Sequence, residues 1–258
     1  MRDTLVLAYH AVSDDWPSVL AVTPARLEAQ ISSLLERGYK AARFHDAVHR
    51  PPAPATLAIT FDDGYRSVIE RAFPILSRLG VPATVFVPTD FVGRELPMSW
   101  RGIEEWHGGA HGKELECLSW QELGALAGAG WEIGSHTRSH RRLIGLEDPD
   151  LEDELRGSRQ ECERRLGTRC LSLAYPYGDS DTRVREAASR AGYSAATGQP
   201  ARFGDAGTFC VARIGAYPPD APLRFRLKTS PTLRRLRVWW IREMLTGRRR
   251  ARTDELSR

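Results

Sequence analysis

Lysine is almost missing from this chain. Of its 37 basic residues only Lys40, Lys113 and Lys228 are lysine. Nearly every positive charge is therefore a guanidinium, which a GC-rich coding sequence would produce without selection for arginine chemistry. Long apolar runs are missing too, and none approaches the ~20 residues of a membrane-spanning helix. Cysteine is sparse. Cys117, Cys162, Cys170 and Cys210 are irregularly spaced, with no zinc-ribbon pattern, and are expected to be reduced thiols in a reducing compartment. The N-terminus, MRDTLVLAYHAVSDD, has an acid before its short apolar run and no small-residue cleavage site. It reads as no signal peptide, so a cytoplasmic location is expected, with the inner face of the membrane as a further option. Internal repeats are absent, and no histidine follows His140.

What remains is enough for one sizeable α/β domain: 258 residues, 41% hydrophobic and 27% charged. Charge is uneven along the chain. Residues 224–258 hold twelve Lys/Arg and three Asp/Glu, a net +9 against +4 overall, which leaves −5 for the first 223. This divides the chain into a barrel-forming body, 1–223, and a basic tail, 224–258.

Strand and helix signals alternate through the body. Short apolar runs lie at 4–9, 40–44, 57–61, 83–87, 131–134, 171–175, 193–197 and near 209–214. Helical spacing is found over 24–37, 66–79, 119–129, 149–166 and 181–191. Pro74 should kink the second of these helices. Ser119 and Glu122 form a capping-box pattern. Residues 90–118 have no clean period and read as a binding loop or lid, within which His107 and His111 are loop residues.

The chemistry gathers at strand ends. In LAITFDDGY an apolar strand stops at Asp62 and Asp63, with Gly64 opening the turn. That is the end of a parallel sheet where reactive groups sit. Neighbouring side chains there diverge, so one carboxylate can bind a metal while the other handles protons. In IGSHTRSH, His136 and His140 are four apart and would share a face on one helical turn. One carboxylate and two imidazoles make a metal set with open positions for water and substrate. Each motif alone has a plain structural reading: a turn and N-cap pair for the acids, a solvated helix face for the histidines.

In series, TFDDGY, SHTRSH and AYPYG resemble the polysaccharide deacetylase family, the NodB-like carbohydrate esterases, over residues 5–215. The resemblance implies a distorted (β/α) barrel that removes acetyl groups from amino sugars or sugar hydroxyls with one divalent metal, usually zinc. Carried over by motif, Asp63, His136 and His140 hold the ion and Asp62 is the base that takes the proton from the attacking water. Pro176 and Tyr177 of YPYG provide the oxyanion contact, through the Tyr177 N–H. Two features depart from the family pattern. Its usual arginine before the motif proline is Ala174 here, and its usual C-terminal histidine is absent. His10, in LAYHAV, matches the Y-H motif of a permuted branch and is the candidate general acid. Arg213, in FCVARIG, is the candidate substitute for the arginine, with a surface arginine on the last strand as the alternative.

The expected activity is metal-dependent N-deacetylation of an amino sugar or a polysaccharide or glycolipid precursor. Alternatives with the same site are O-acetyl ester hydrolysis and deformylation. A catalytically decayed sugar-binding module and a metal-free glycosidase are readings of other classes. In the tail, Leu233, Leu236, Trp240, Ile241, Met244 and Leu245 share one helical face. Residues 231–250 therefore either contact an anionic membrane or dock on the barrel. Nucleic acid is not expected as a partner.

Overall fold

The computed structural model describes residues 3–198 and 207–234. The apolar runs become parallel strands: β1 (Asp3–Tyr9), β4 (Lys40–Ala42), β5 (Ala55–Phe61), β6 (Thr84–Val87), β7 (Glu132–Ser135), β8 (Ser172–Ala174) and β9 (Ala195–Gly198). Two-residue strands β2 (Ala11–Val12) and β3 (Ala21–Val22) form a separate pair. With β10 (Val211–Ala212) and β11 (Ile214–Gly215), the main sheet runs β10-β9-β8-β7-β6-β5-β1-β11, with β4 beside the first half of β5. It curls into a nearly closed barrel.

The strand expected near 209–214 is two strands. β10 (Val211–Ala212) pairs with β9, and β11 (Ile214–Gly215) pairs with β1 at the opposite edge. The chain changes neighbour at Arg213, which therefore stands at the seam of the barrel.

Alternation along each strand divides the core in two. Leu5, Leu7, Leu57, Ile59 and Phe61 belong to the larger cluster, which includes the helix residues Leu27, Ile31 and Leu34. Val6, Ala58, Phe86, Ala174 and Ala195 form the second cluster, filling the interior. The interior is narrow, so most of its positions are alanine. Gly134 is needed there, since a Cβ would lie 2.6 Å from the Phe86 ring.

Five helices have the expected periodicity: α1 (Pro24–Glu36), α3 (Phe73–Arg78), α4 (Trp120–Gly128), α6 (Ser158–Leu166) and α7 (Thr182–Arg190). Thr23 caps α1, and the Ser119–Glu122 capping box is formed. Helix α2 (Phe44–His49) was not foreseen; its Phe44 and Ala47 close the N-terminal end of the barrel. Pro74 is accommodated by a π-helical turn, Val68–Ala72, directly before α3. The wider turn relieves the clash that a proline ring would make with the carbonyl four residues back. The charged helix expected over 149–166 is likewise interrupted: α5 (Asp148–Glu152), a π turn at Asp153–Gly157, then α6.

Helix α8 (Pro222–Lys228) continues from β11. It is tied to the barrel by Lys228 Nζ on the Gly215 carbonyl at 2.6 Å and Arg37 on the Thr229 hydroxyl at 2.9 Å. Of the stretch 231–250 expected to meet a membrane, everything beyond Arg234 lies outside the described residues. Among the described residues no helix is long and apolar enough to cross a bilayer. All four cysteines are buried free thiols.

Candidate metal centre and active-site pocket

Strand β5 sets the two acids apart. Ala58 and Thr60 take its inward phase, and Asp62 continues it from the strand's end. The Asp62 N–H donates to the Tyr9 carbonyl at 2.9 Å, so the backbone is fixed there. Asp63 then takes a left-handed conformation, φ 66°, followed by Gly64 at φ 65°. Gly64 is constrained by more than its φ: a Cβ would stand 2.9 Å from Val87 Cγ1.

The histidines arrive from β7, but not on a helix. Residues 136–140 form a loop in which Thr137 (φ 68°) and His140 (φ 60°) are left-handed. One helical turn is not formed, because the left-handed backbone at Thr137 and His140 is incompatible with it; the loop is instead organised through the N–H groups of Arg138 and Ser139. Both donate to Glu154 Oε2, at 2.9 and 3.0 Å. The loop nevertheless brings the imidazoles together, with ring centroids 4.8 Å apart.

Asp63 Oδ1 lies 3.3 Å from Nε2 of His136 and 3.3 Å from Nε2 of His140. All three residues are buried. The His136 ring donates from Nδ1 to the Ala174 carbonyl at 2.8 Å, which leaves Nε2 as the acceptor facing Asp63. Asp63 Oδ1 has no hydrogen-bond donor. A buried carboxylate oxygen without a donor is costly. A divalent cation would satisfy it and both imidazoles at once. The spacing also fits, since donors each about 2.0 Å from a tetrahedral zinc stand about 3.3 Å apart.

Electrostatics follow the same geometry. Burial pushes the Asp63 carboxyl toward protonation, but His136 and His140 outweigh it and hold it well below the usual range. Burial lowers His140, and Asp63 does not fully offset it, so the net shift is downward. Burial also opposes charge on His136, yet Asp63 and Asp62 together raise it.

Asp62 has a different partner. Arg213 donates from both terminal nitrogens, to Oδ1 at 2.6 Å and Oδ2 at 2.7 Å, and also to Thr60 Oγ1 at 3.1 Å. Both side chains are under a tenth exposed. Burial again raises the Asp62 carboxyl, and the guanidinium reverses that, so it stays ionised. The guanidinium lies 5.8 Å above the Phe86 ring. Ala174, where the family arginine was missing, packs in the same interior cluster.

These groups share a cleft of about 330 Å³ with His10, Tyr177 and the aromatic wall of the long loop. Trp100 from that loop stacks on His140 at 4.1 Å. His10 follows β1 and is partly exposed in the cleft. Tyr177 is left-handed, φ 59°, after Pro176. The turn's hydrogen bonds come from the N–H groups of Gly178 and Asp179 and do not use that of Tyr177. His107 and His111 stay outside the cleft: His107 bonds the Met98 carbonyl at 2.9 Å, and His111 packs on the edge of Trp106. Among the described residues, only Asp63, His136 and His140 form a cluster able to hold a metal. Glu154 was the residue missed from sequence, where it looks like one more acid on a charged helix.

Comparison with known proteins gives the family and the fold. The family model described as polysaccharide deacetylase matches residues 49–196. YxkH of Bacillus subtilis, a protein assigned by name to the polysaccharide deacetylases, is 26% identical over 220 residues, covering 83% of this chain and 71% of its own. The poly-beta-1,6-N-acetyl-D-glucosamine N-deacetylase of Staphylococcus aureus is 27% identical over 129 residues, 46% of this chain and 39% of that one. A polysaccharide deacetylase structure from Bacillus cereus superposes with TM-score 0.72 at 24% identity, covering 88% of this chain and 69% of that chain. The Streptococcus pyogenes deacetylase PplD, solved with acetate, gives 0.71 at 22%, covering 88% and 98%. The last two establish likeness of fold. The chain belongs to the polysaccharide deacetylase family and is a hydrolase of that type, acting on amide bonds.

Proposed function

We propose, from this membership and the geometry of the cleft, that the protein hydrolyses the N-acetyl group of an amino sugar in a saccharide or glycolipid precursor. The observation that carries the proposal is the buried, donorless Asp63 Oδ1 facing two imidazole nitrogens at 3.3 Å. Asp63, His136 and His140 would hold one divalent ion, most simply zinc. When bound, it supplies Lewis acidity toward the acetyl carbonyl and makes a coordinated water more acidic.

The protein's own groups do the rest. Asp62 accepts the proton from the attacking water. Its two contacts from Arg213 fix the carboxylate plane and keep it ionised, at some cost in basicity. The water oxygen bonds to the acetyl carbon, and the Tyr177 N–H is the donor for the negative charge that develops on the carbonyl oxygen. The carbon–nitrogen bond then breaks, and His10 gives the amine the proton it needs to depart. Trp100 and Tyr177 line the cleft that a sugar ring would enter.

Ester hydrolysis at the same site is the second reading, favoured only by the partial exposure of His10, since an alkoxide leaves with less help than an amine. The test is acetate release by zinc-loaded protein from N-acetylglucosamine oligomers and from matched O-acetyl sugars. His10→Ala is expected to lose much more on the amide than on the ester. Equal loss on both would remove His10 as the acid, and release from the ester alone would overturn N-deacetylation.

A further inference from the structure

Two N–H groups and a hydroxyl of the turn that carries the second histidine converge on one buried carboxylate. Glu154 is 5% exposed. Its Oε2 accepts from the N–H of Arg138 at 2.9 Å and of Ser139 at 3.0 Å, and its Oε1 accepts from the Ser139 hydroxyl. Those donors lie between His136 and His140. The backbone on either side of them is left-handed at Thr137 and His140. Left-handed conformations at residues with a Cβ persist only where the surroundings enforce them.

Glu154 reaches the turn because it sits in the π-helical turn Asp153–Gly157. Such turns leave main-chain carbonyls without their usual donors. Here the Glu154 carbonyl accepts from the Ser158 hydroxyl at 2.6 Å, and the Leu155 carbonyl from the Tyr193 hydroxyl at 3.0 Å. Ser158 also accepts from the Ser135 hydroxyl at 2.8 Å, and Ser135 accepts the Thr137 N–H at 3.0 Å. One connected network thus runs from the π turn to both ends of the histidine loop. Arg138 lies across Gly157, where a Cβ would meet its Cδ at 3.0 Å, and pairs with Asp153 at 2.6 Å.

We propose that Glu154 is a positioning residue for the metal site: it folds the His136–His140 turn so that the two Nε2 atoms converge on Asp63, and so sets metal affinity without touching the ion. The proposal rests on the metal-binding reading above. It assigns the effect to reach and hydrogen bonding, not to charge.

The test is zinc affinity, measured by competition with a chromophoric chelator on the full chain, alongside thermal unfolding. Glu154→Gln keeps the reach: its carbonyl oxygen can take both N–H groups, and its amide can donate to the Ser139 hydroxyl. Glu154→Asp keeps the charge but is one methylene short. Glu154→Asp is expected to weaken zinc binding about 10–100-fold, the usual scale for a residue that orients a ligand. Glu154→Gln is expected to stay within about threefold of the parent, as the same principle predicts when the orienting bonds survive. The matched control is Glu132→Ala, which removes a carboxylate with as many hydrogen bonds at the far end of the barrel. It should lower the melting temperature and leave zinc affinity alone. Tight zinc binding by folded Glu154→Asp, or equal loss in the Gln variant, would overturn the proposal. Failure of the parent chain to bind zinc would instead remove the reading on which it rests.

Discussion

Two acids at opposite ends of the barrel, Glu132 and Asp63, are treated in opposite ways. At the N-terminal end, Glu132 of β7 has both oxygens occupied. Oε2 accepts from the His45 N–H at 2.9 Å and the Thr84 hydroxyl at 3.0 Å, and Oε1 from the Ser172 hydroxyl at 2.5 Å. At the C-terminal end, Asp63 keeps Oδ1 without a donor against two imidazoles. The backbone shows the same division. Among the described residues, the non-glycine residues with positive φ are Asp63, Thr137, His140 and Tyr177, all at the C-terminal end. Each such residue costs about 1–3 kcal/mol. A chain under pressure for stability alone would have placed glycine there and paired the carboxylate. The contrast marks one end as a closure and the other as a site where order is held against local preference.

Substitutions at the two ends should separate these roles. The largest effect is expected from Asp63→Asn. Zinc binding and acetate release should be lost together in protein that still folds, as shown by a cooperative unfolding transition. A fall in stability with zinc binding kept would break the comparison. Next is Arg213→Lys. An ammonium cannot reproduce the two-pronged contact with Asp62, and a drop of about 10–100-fold in kcat is expected, as for loss of an orienting partner. Zinc affinity should not change, since Asp62 is not in the metal set. The smallest effect on activity is expected from Glu132→Ala, within twofold of the parent. Its cost is in stability, about 1–3 kcal/mol for groups left unpaired, read from denaturant unfolding.

Much of this was legible before the fold. Asp62, Asp63, His136 and His140 are adjacent to apolar runs whose spacing gives away the strands, and the chemistry follows from which residues end those strands. Arg213 was visible only as a candidate, because its contact with Asp62 spans 151 positions. The left-handed turn at His136–His140 was misread as helix, because a spacing of four fits a helix as well as a loop. The loop is organised around Glu154, and periodicity says nothing about where a helical acid points. Helix α2 was missed for a related reason. Six residues are too few to show a helical period, and Phe44 and Ala47 take their place from the barrel interior they plug.

The most direct measurement is anomalous X-ray diffraction at the zinc edge from crystals grown with the ion, with the metal content of the same protein determined in solution. The account predicts one zinc per chain, bound by Asp63 and by Nε2 of His136 and of His140. Protein that stays metal-free in excess zinc, or a peak at any other residues, would contradict it.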